Sequence, residues 1–540
     1  MRSSNSAPLI GVPGLVLGLA LIGLGACKDK QDRQDPHSLS NLDAEGPPHT
    51  ADCRSWEDID VSKLPALPAG AHVEAFDTVW RTVAQKHFDP TLACLDWPAI
   101  RASYGERVAA AADAQAAYAI INEMLGLLGQ SHLHATPPTA ASTRERDTGP
   151  AMVPIAVRWL PMSPKSEDRR AVVVDGAVGG NPSGVPLGAV LTSVDGESID
   201  EIAKEVIAVG GDVRVTEQAF QIRRAIDATL SCPADGRKTI SFLDPKDDAA
   251  RELAVACFVP DGERISLGNL RNLPTTVDWH MIGAAPAGSG DTGSTEGDDG
   301  GTETDTGGEI DCGTETGDEP ETAPTPDAPD LGDGPGEPKV GYLAFNFWML
   351  PMVDRVREGV TTMRAQGMQA LIIDLRDNPG GVGAMSIPIA RMFVDRPASL
   401  GRLQMREFNQ EFRIDANPDA FTGPIAILVD EGTASTSEIF AMGMRDIGRV
   451  SIVGAGPSAG MALPSLIETL PDGGMIQYVV GDYHSTKGSA AEGDGVVPEL
   501  TVPESRIDYA AGRDPVLDAA VDLLRRKLVD APQTPPPPGG

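Results

Sequence analysis

Between Met281 and Pro338 the chain carries sixteen Asp and Glu residues and no Lys or Arg, in a run dominated by Gly, Thr, Pro and Asp. Such a segment repels itself and buries too little apolar surface to offset the entropy of ordering. A solvated, disordered acidic linker is therefore expected over 281–338, and any packed core must come from the two flanks. The tract also supplies much of the formal net charge of −34. Nucleic acid is not an expected partner of so acidic a body. The tract contains no D-x-D-x-D-G spacing, so it does not read as a series of calcium loops.

The chain of 540 residues has room for two to four domains. Its first 27 residues read as an address rather than as fold. One Arg is followed by an apolar run from Leu9 to Ala26, ending in Leu24-Gly25-Ala26-Cys27. This is the pattern of a lipoprotein signal peptide with a lipobox, which would leave an acyl anchor on Cys27; an uncleaved anchor or an ordinary signal peptide is the plainer alternative. Residues 28–52 then form a polar tether. The expected location is the bacterial cell envelope, lipid-anchored, on the periplasmic or cell-surface side. An oxidising compartment suits cystines. Cys53 with Cys94, and Cys232 with Cys257, are the sequence-neighbour pairings, although spacing alone cannot fix connectivity. Cys312 would be left over. No C-x-x-C spacing suggests zinc, and neither a metal nor an organic cofactor is expected.

Three regions have foldable patterns. Over 53–150, EAFDTVWRTVAQKHF, WPAIRASYGERVAAAA and AQAAYAIINEMLGLLG place apolar residues three and four apart, which predicts an N-terminal helical bundle. Over 151–262 short β-like runs dominate, with one helical run, SIDEIAKEVIAVG. Within them SGVPLGAVLTSVDGESI resembles the peptide-binding PDZ domain, with Ala189 where the family's run has Asp; a small β domain without a groove is the bland alternative. From 339 to 528 strands and helices alternate: VGYLAFNF, MVDRVREGVTTMRAQG, QALIIDL, GAMSIPIARMFV, IAILVD, the helix opening at Ser435, VSIVG and MIQYVVGDY, then the amphipathic DPVLDAAVDLLRRKLV. Alternation at this length predicts a layered α/β core. Residues 529–540 are a Pro-rich tail. The fold class expected is thus multidomain α/β.

Four pieces carry chemistry. Ser435 stands where an apolar strand turns into an amphipathic helix. There it can be a nucleophile served by free helix N–H groups, or the cap of the Ser435-Thr-Ser-Glu438 capping box, its hydroxyl bonding a first-turn N–H. Asp374-Leu-Arg-Asp-Asn-Pro-Gly380-Gly381 is a strand end followed by a glycine turn whose bare backbone can approach a ligand, or simply a tight connection. Ser131-His132-Leu133-His134 follows the helical bundle. His132 could act as a base, and His132 with His134 stand at strand spacing for a metal but lack a third ligand motif. Glu492-Gly-Asp-Gly-Val-Val-Pro-Glu499 offers a carboxylate that could polarise a base, or a surface acid.

In this order the pieces resemble the family of C-terminal processing (tail-specific) serine peptidases, whose TASASEIFA-like and DLRxNPGG runs appear here as TASTSEIFA and DLRDNPGG. The resemblance extends from about Val73 to Leu528 and implies a crotonase-like peptidase core. In one branch a lysine stands twenty-five residues after the serine; here that position is Gly460, and no lysine occurs from Ser435 to Tyr483. The chain is closer to the tricorn-core-like branch, which implies Ser435 as nucleophile, His132 as general base, and Ser131 and Glu492 as the network that orients it. An oxyanion hole would come from Gly380 or Gly381 with the N–H of Thr436. Lys487 is a weaker candidate base. Asp446 lies eleven residues along the helix, roughly 16 Å from Ser435, and a structural role is expected. The function implied is a serine peptidase acting on a peptide or unfolded protein through an acyl-enzyme. A catalytically silent peptide-binding lipoprotein of the same fold is the alternative.

Overall fold

The computed structural model describes residues 50, 52–138, 151–210, 214–267, 270–282 and 338–530. The stretch read as a signal peptide with Cys27, most of the expected tether, residues 283–337 with Cys312 and the final ten residues lie outside the described residues.

The strands of the C-terminal region are apolar at nearly every position because both faces of their sheet are covered. Six strands pair in the order Val277–Met281, Val340–Phe345, Ala370–Asp374, Ile425–Val429, Ser451–Gly454, Leu500–Thr501; the first pair is antiparallel and the rest are parallel. Side chains alternate across the sheet. Leu371, Ile373, Ile425, Ile427 and Val429 enter one core with Met352, Val356, Ile439 and Phe440. Ala370, Ile372, Ala426 and Leu428 enter the other, against Val516, Ala520 and Leu524 of the helix Pro515–Asp530. The region is thus the layered α/β arrangement its pattern predicts.

Two expectations for this region need correction. MIQYVVGDY does not close the main sheet. It divides into Met475–Val479 and Gly481–His484, which belong to two different three-stranded sheets. The edge strand is instead Leu500–Thr501, just past the Glu492–Glu499 run. The expected helix over GAMSIPIARMFV shrinks to a 3-10 turn, Gly383–Met385, and a five-residue helix, Ser386–Ala390; its internal Pro388 removes a backbone donor.

The N-terminal helices Val73–Lys86, Trp97–Ala109 and Ala114–Gly126 pack around Phe76, Trp80, Trp97, Tyr104 and Ile121. Trp80 and Trp97 each donate an indole N–H to the other's carbonyl, at 2.8 and 3.1 Å. The strand His134–Thr136 pairs antiparallel with Met475–Val479, His134 opposite Gln477. That pairing docks the segment just after His132 onto the C-terminal region.

Residues 151–258 form a six-stranded antiparallel sheet around Val157, Val173, Leu191, Ile240 and Phe242. The region holds two helices where one was expected: Ile199–Gly210, and a second at Val215–Leu230. The second escapes a hydrophobic-pattern reading because it buries Arg223 beside Phe220, Ile222 and Ile226. Cys53 is bonded to Cys94 and Cys232 to Cys257, the two sequence-neighbour pairs.

Candidate active site

Ser435 directly precedes the helix Thr436–Asp446 and takes φ 58, ψ −119. This left-handed region is unfavourable for a residue with a Cβ and is found where surrounding structure enforces it. Its N–H is held twice, by the Met461 carbonyl and by the Glu438 carboxylate, each at 2.9 Å. Ser435 is fully buried, yet its Oγ has no hydrogen-bond partner. The capping box expected from the sequence is present in arrangement, but its serine half makes no hydrogen bond of good geometry. Glu438 reaches back to the serine N–H, while the twist at Ser435 leaves the hydroxyl uncommitted.

Glu438 is engaged far beyond capping. Its Oε1 accepts from Ser458 Oγ (2.5 Å) and Gly460 N (2.8 Å), and its Oε2 from Ser435 N and Met461 N (3.0 Å). Burial pushes this carboxyl up to about 7 against those hydrogen bonds, with Glu492 adding in the same direction.

The glycine turn lies directly on the serine. A Cβ placed on Gly380 (φ 101) would sit 2.7 Å from Ser435 Cβ and 3.0 Å from Thr436 N. The N–H of Gly380, however, is engaged by Asn378 Oδ1 at 3.0 Å. Gly381 gives its carbonyl to Thr436 Oγ1 (3.0 Å). The N–H groups of Gly381 and Thr436 have no hydrogen-bond partner among the described residues. Of the two glycines offered by the sequence, Gly381 is therefore the one with a donor to give.

A second cluster forms around Glu492, which accepts four hydrogen bonds: Ser131 N (3.0 Å), Ser131 Oγ (2.8 Å), Ala462 N (3.0 Å) and Arg214 Nη2 (3.1 Å). Because the Ser131 hydroxyl hydrogen points at this carboxylate, its oxygen must accept from His132 Nδ1, 2.8 Å away. The imidazole then carries its proton on Nδ1 and a lone pair on Nε2. Burial pushes His132 down to about 4, opposed by Glu492 and assisted by Arg214. The ring is neutral at pH 7.

Ser131, His132 and Glu492 are thus brought into one cluster, and the Gly460–Ala462 segment ties it to the serine. Met461 O holds Ser435 N, and Ala462 N holds Glu492. No hydrogen bond joins Ser435 Oγ to His132 in this conformation. Lys487 is exposed on a turn. His134 lies on its own short strand, and among the described residues no group of side chains could hold a metal. Asp446 is buried and paired with its neighbour Arg445 at 3.3 Å. Gly460, at the dyad-lysine position, has φ 73 and no room for a side chain, since a Cβ would meet Gly493 O at 2.5 Å.

Sequence reading missed the contribution of the helix Val215–Leu230. Arg214, at its N-terminus, bonds both Glu492 and Gly460 O (3.1 Å), and Phe220 packs with Ala434 and Ala459. No motif marks these residues.

A strained, buried serine beside unpartnered backbone N–H groups is the geometry of a serine hydrolase. Comparison with known proteins narrows the class. Residues 339–502 match the model of peptidase family S41, and residues 69–126 that of the tricorn protease C1 domain. Over these spans the chain is similar to the serine-type peptidases of family S41 and to carboxyl-terminal-processing proteases. It is 30% identical over 189 residues to the carboxyl-terminal-processing protease of Picosynechococcus sp., a match covering 34% of this chain and 45% of that one. It is 30% identical over 204 residues to the Synechocystis sp. protein, covering 37% and 47%. These matches span less than half the length of either relative. Among solved structures, mature CPAF complexed with lactacystin superposes with a TM-score of 0.51 at 15% identity, over 84% of this chain and 98% of that one, a likeness of fold.

Proposed function

We propose that this chain is a serine peptidase of the bacterial cell envelope that cleaves peptide bonds through an acyl-enzyme on Ser435. The observation that carries the reading is Ser435 Oγ, buried and without a partner at a left-handed strand-to-helix elbow. His132 takes the Ser435 proton on Nε2 and returns it to the leaving amine. Ser131 passes the Glu492 charge to Nδ1 and fixes the tautomer. The N–H groups of Gly381 and Thr436 receive the oxyanion. Gly380 serves by having no side chain, because its own N–H is tied to Asn378. This is the tricorn-like arrangement, and the absence of space at Gly460 supports it over a serine–lysine dyad. The substrate is an extended or C-terminal segment of a peptide or unfolded protein. The PDZ-like reading of 151–262, which rests on the SGVPLGAVLTSVDGESI run, assigns that region to substrate binding. Cys27 would carry the lipid that holds the protein at the membrane.

The test is labelling by a fluorophosphonate probe together with hydrolysis of a peptide library. The parent protein should be labelled and Ser435→Ala should not. His132→Ala should lower the acylation rate by about 10²–10⁴. An unlabelled parent, or hydrolysis unchanged in Ser435→Ala, overturns the reading. The missing bond between Ser435 Oγ and His132 favours one second reading, a peptide-binding protein that keeps the fold without turnover. Saturable peptide binding with no labelling would establish it.

A further inference from the structure

We propose that the helix Val215–Leu230 splints the oxyanion turn: Arg223 and Arg224 grip Asp377 and so hold the Asp374–Gly381 turn in register with Ser435. The inference rests on the assignment of Ser435, Gly381 and Thr436 under Proposed function. Asp377 is here a positioning residue, acting through the backbone that follows it.

Asp377 is the third residue past the strand end and is left-handed, φ 63. Its N–H donates to Asp430 Oδ1 at 2.9 Å, and that same oxygen accepts from Gly432 N at 2.9 Å. A Cβ on Gly432 would lie 2.8 Å from Asp377 Cα, so the turn presses on the segment leading to the nucleophile. Next in the chain, Asn378 holds Gly380 N through Oδ1 and gives its carbonyl to Ala434 N (3.1 Å) and Ser437 Oγ (3.0 Å). The Asp377 carboxylate is therefore on the residue directly before the one that shapes the glycine pair. Any swing of Asp377 is passed directly to Gly380 and Gly381.

The grip comes from outside the peptidase core. Arg223 Nη2 lies 2.9 Å from Asp377 Oδ2, and the Arg224 guanidinium meets the other oxygen while also pairing with Asp227 of its own helix at 3.1 Å. Arg223 also faces Asp430 Oδ2 at 3.8 Å. The Arg223 side chain is 4% exposed. A buried guanidinium is retained only where carboxylates hold it; the Asp377 side chain is 38% exposed, and Arg223 keeps Asp430 and Asp227 nearby, so loss of Asp377 loosens the turn without stranding a buried charge. The same helix reaches the opposite half of the site, where Arg214 holds Glu492 and Gly460 O. Phe220 lies between, on Ala434 and Ala459. A helix that served only to join two regions would not need to end its charged contacts on both the oxyanion turn and the base network. Oxyanion donors act only when aimed where charge develops, so a loosened turn lowers kcat rather than substrate affinity.

The experiment uses the full chain with Asp377→Asn, Arg224→Ala, Arg224→Lys and the double variant Asp377→Asn/Arg224→Ala. Peptide kinetics, fluorophosphonate acylation and amide exchange at Gly380 and Val382 are followed; both amides are hydrogen-bonded in the turn, to Asn378 Oδ1 and Trp348 O. Asp377→Asn and Arg224→Ala should each lower kcat and the acylation rate about tenfold or more, with KM within about threefold. The double variant should be no worse than the stronger single one within about twofold. Arg224→Lys should recover most of the loss, and both amides should exchange about tenfold faster in the two damaging variants. If both single variants keep kcat within about twofold, or if KM rises while kcat holds, the splint is wrong. A parent that is not labelled overturns the peptidase reading instead, and unchanged exchange at Gly380 and Val382 would then refute the splint independently. Should Asp377→Asn fail to fold, the arginine variants carry the same test from the other side of the contact.

Discussion

His132, the proposed base, is a neutral imidazole because its surroundings are wrong for a cation, and that gives the proposed chemistry a sign with pH. Burial lowers its protonation from the ordinary 6.5 to about 4, so the lone pair on Nε2 survives well into acid. The acid limb of kcat/KM, which reports the free enzyme's base, should fall below pH 6, toward 4. A limb centred at 6.5 or above would mean that another group takes the proton. The same shift acts on stability. A histidine depressed in the folded state contributes stability that is full above 6.5 and is lost as pH falls toward 4. Glu438 works in the opposite direction. Its carboxyl is raised from 4.5 to about 7, so the stability it contributes is full below 4.5 and is lost as pH rises through 7. Glu438→Gln is expected to be most damaging above about pH 7, where the parent group is a carboxylate, and milder below it, where the amide resembles the protonated acid. The carboxylate accepts two N–H or O–H groups on each oxygen, and an amide must turn its own NH2 toward one pair. Two buried donors left facing a donor should cost about 2–5 kcal/mol, read as a lowered urea midpoint at unchanged m. A loss below about 1 kcal/mol would show that the pocket reorganises.

At the scale of elements, the site is two turns pressed together. Gly380→Ala is the direct probe of that contact, because the new methyl would lie 2.7 Å from Ser435 Cβ and 2.9 Å from Ala434 O at a φ of 101. Neither the backbone nor the serine can yield without moving the proposed nucleophile. We expect kcat to fall about 10²-fold or more and the thermal midpoint to drop by several degrees. Near-normal turnover would place the oxyanion elsewhere. These turns also mark how far sequence reasoning reached. DLRDNPGG was legible as a glycine turn because glycine is what a positive φ and a close approach require. Which N–H it leaves free was not legible, since that depends on Asn378 folding back on Gly380. S-x-x-E was legible as a cap, but not that the Ser435 hydroxyl would be left without a hydrogen bond or that Glu438 would hold Ser458, Gly460 and Met461 as well. The strand run IAILVD was legible from near-continuous apolarity, the mark of a sheet covered on both faces. Val215–Leu230 was not, because the residues it buries toward the site include arginines. Besides Asp227 on the same helix, their carboxylate partners Asp377 and Asp430 lie more than a hundred residues away in sequence, where periodicity carries no information.

For the whole molecule, the question is what keeps the 151–258 region seated on the peptidase core. Arg158, on the strand Ala156–Pro161, reaches into the core and makes a bidentate pair with Glu504 at 2.8 and 2.6 Å, with Asp430 Oδ2 at 3.3 Å on its Nε side. The Arg158 and Glu504 side chains are 5% and 1% exposed. From the core, Arg506 returns the contact, donating to Gly188 O (2.9 Å) and Asp244 O (3.1 Å). Gly188 lies so close that a Cβ there would be 2.5 Å from Ala510 N. Exposed ion pairs would add little to such a seam; a desolvated bidentate pair is different, because losing one member leaves a buried charge without its partner. Arg158→Ala is therefore expected to destabilise the protein by about 3–5 kcal/mol. Its effect should appear first as faster amide exchange in the strand Ala156–Pro161 and the helix Val215–Leu230, ahead of the central strands Ala370–Asp374 and Ile425–Val429. Arg158→Met with Glu504→Gln removes both charges and should recover part of the loss, since it is the stranded carboxylate that is costly. If the single variant instead unfolds with one set of exchange rates across both regions, the seam is part of a single cooperative core. If it changes neither exchange nor unfolding midpoint, Arg506 and the apolar contacts of Phe220 hold the region unaided. In the expected case turnover falls together with exchange protection, because the region being released carries Arg214, Arg223 and Arg224, all three of them on the site.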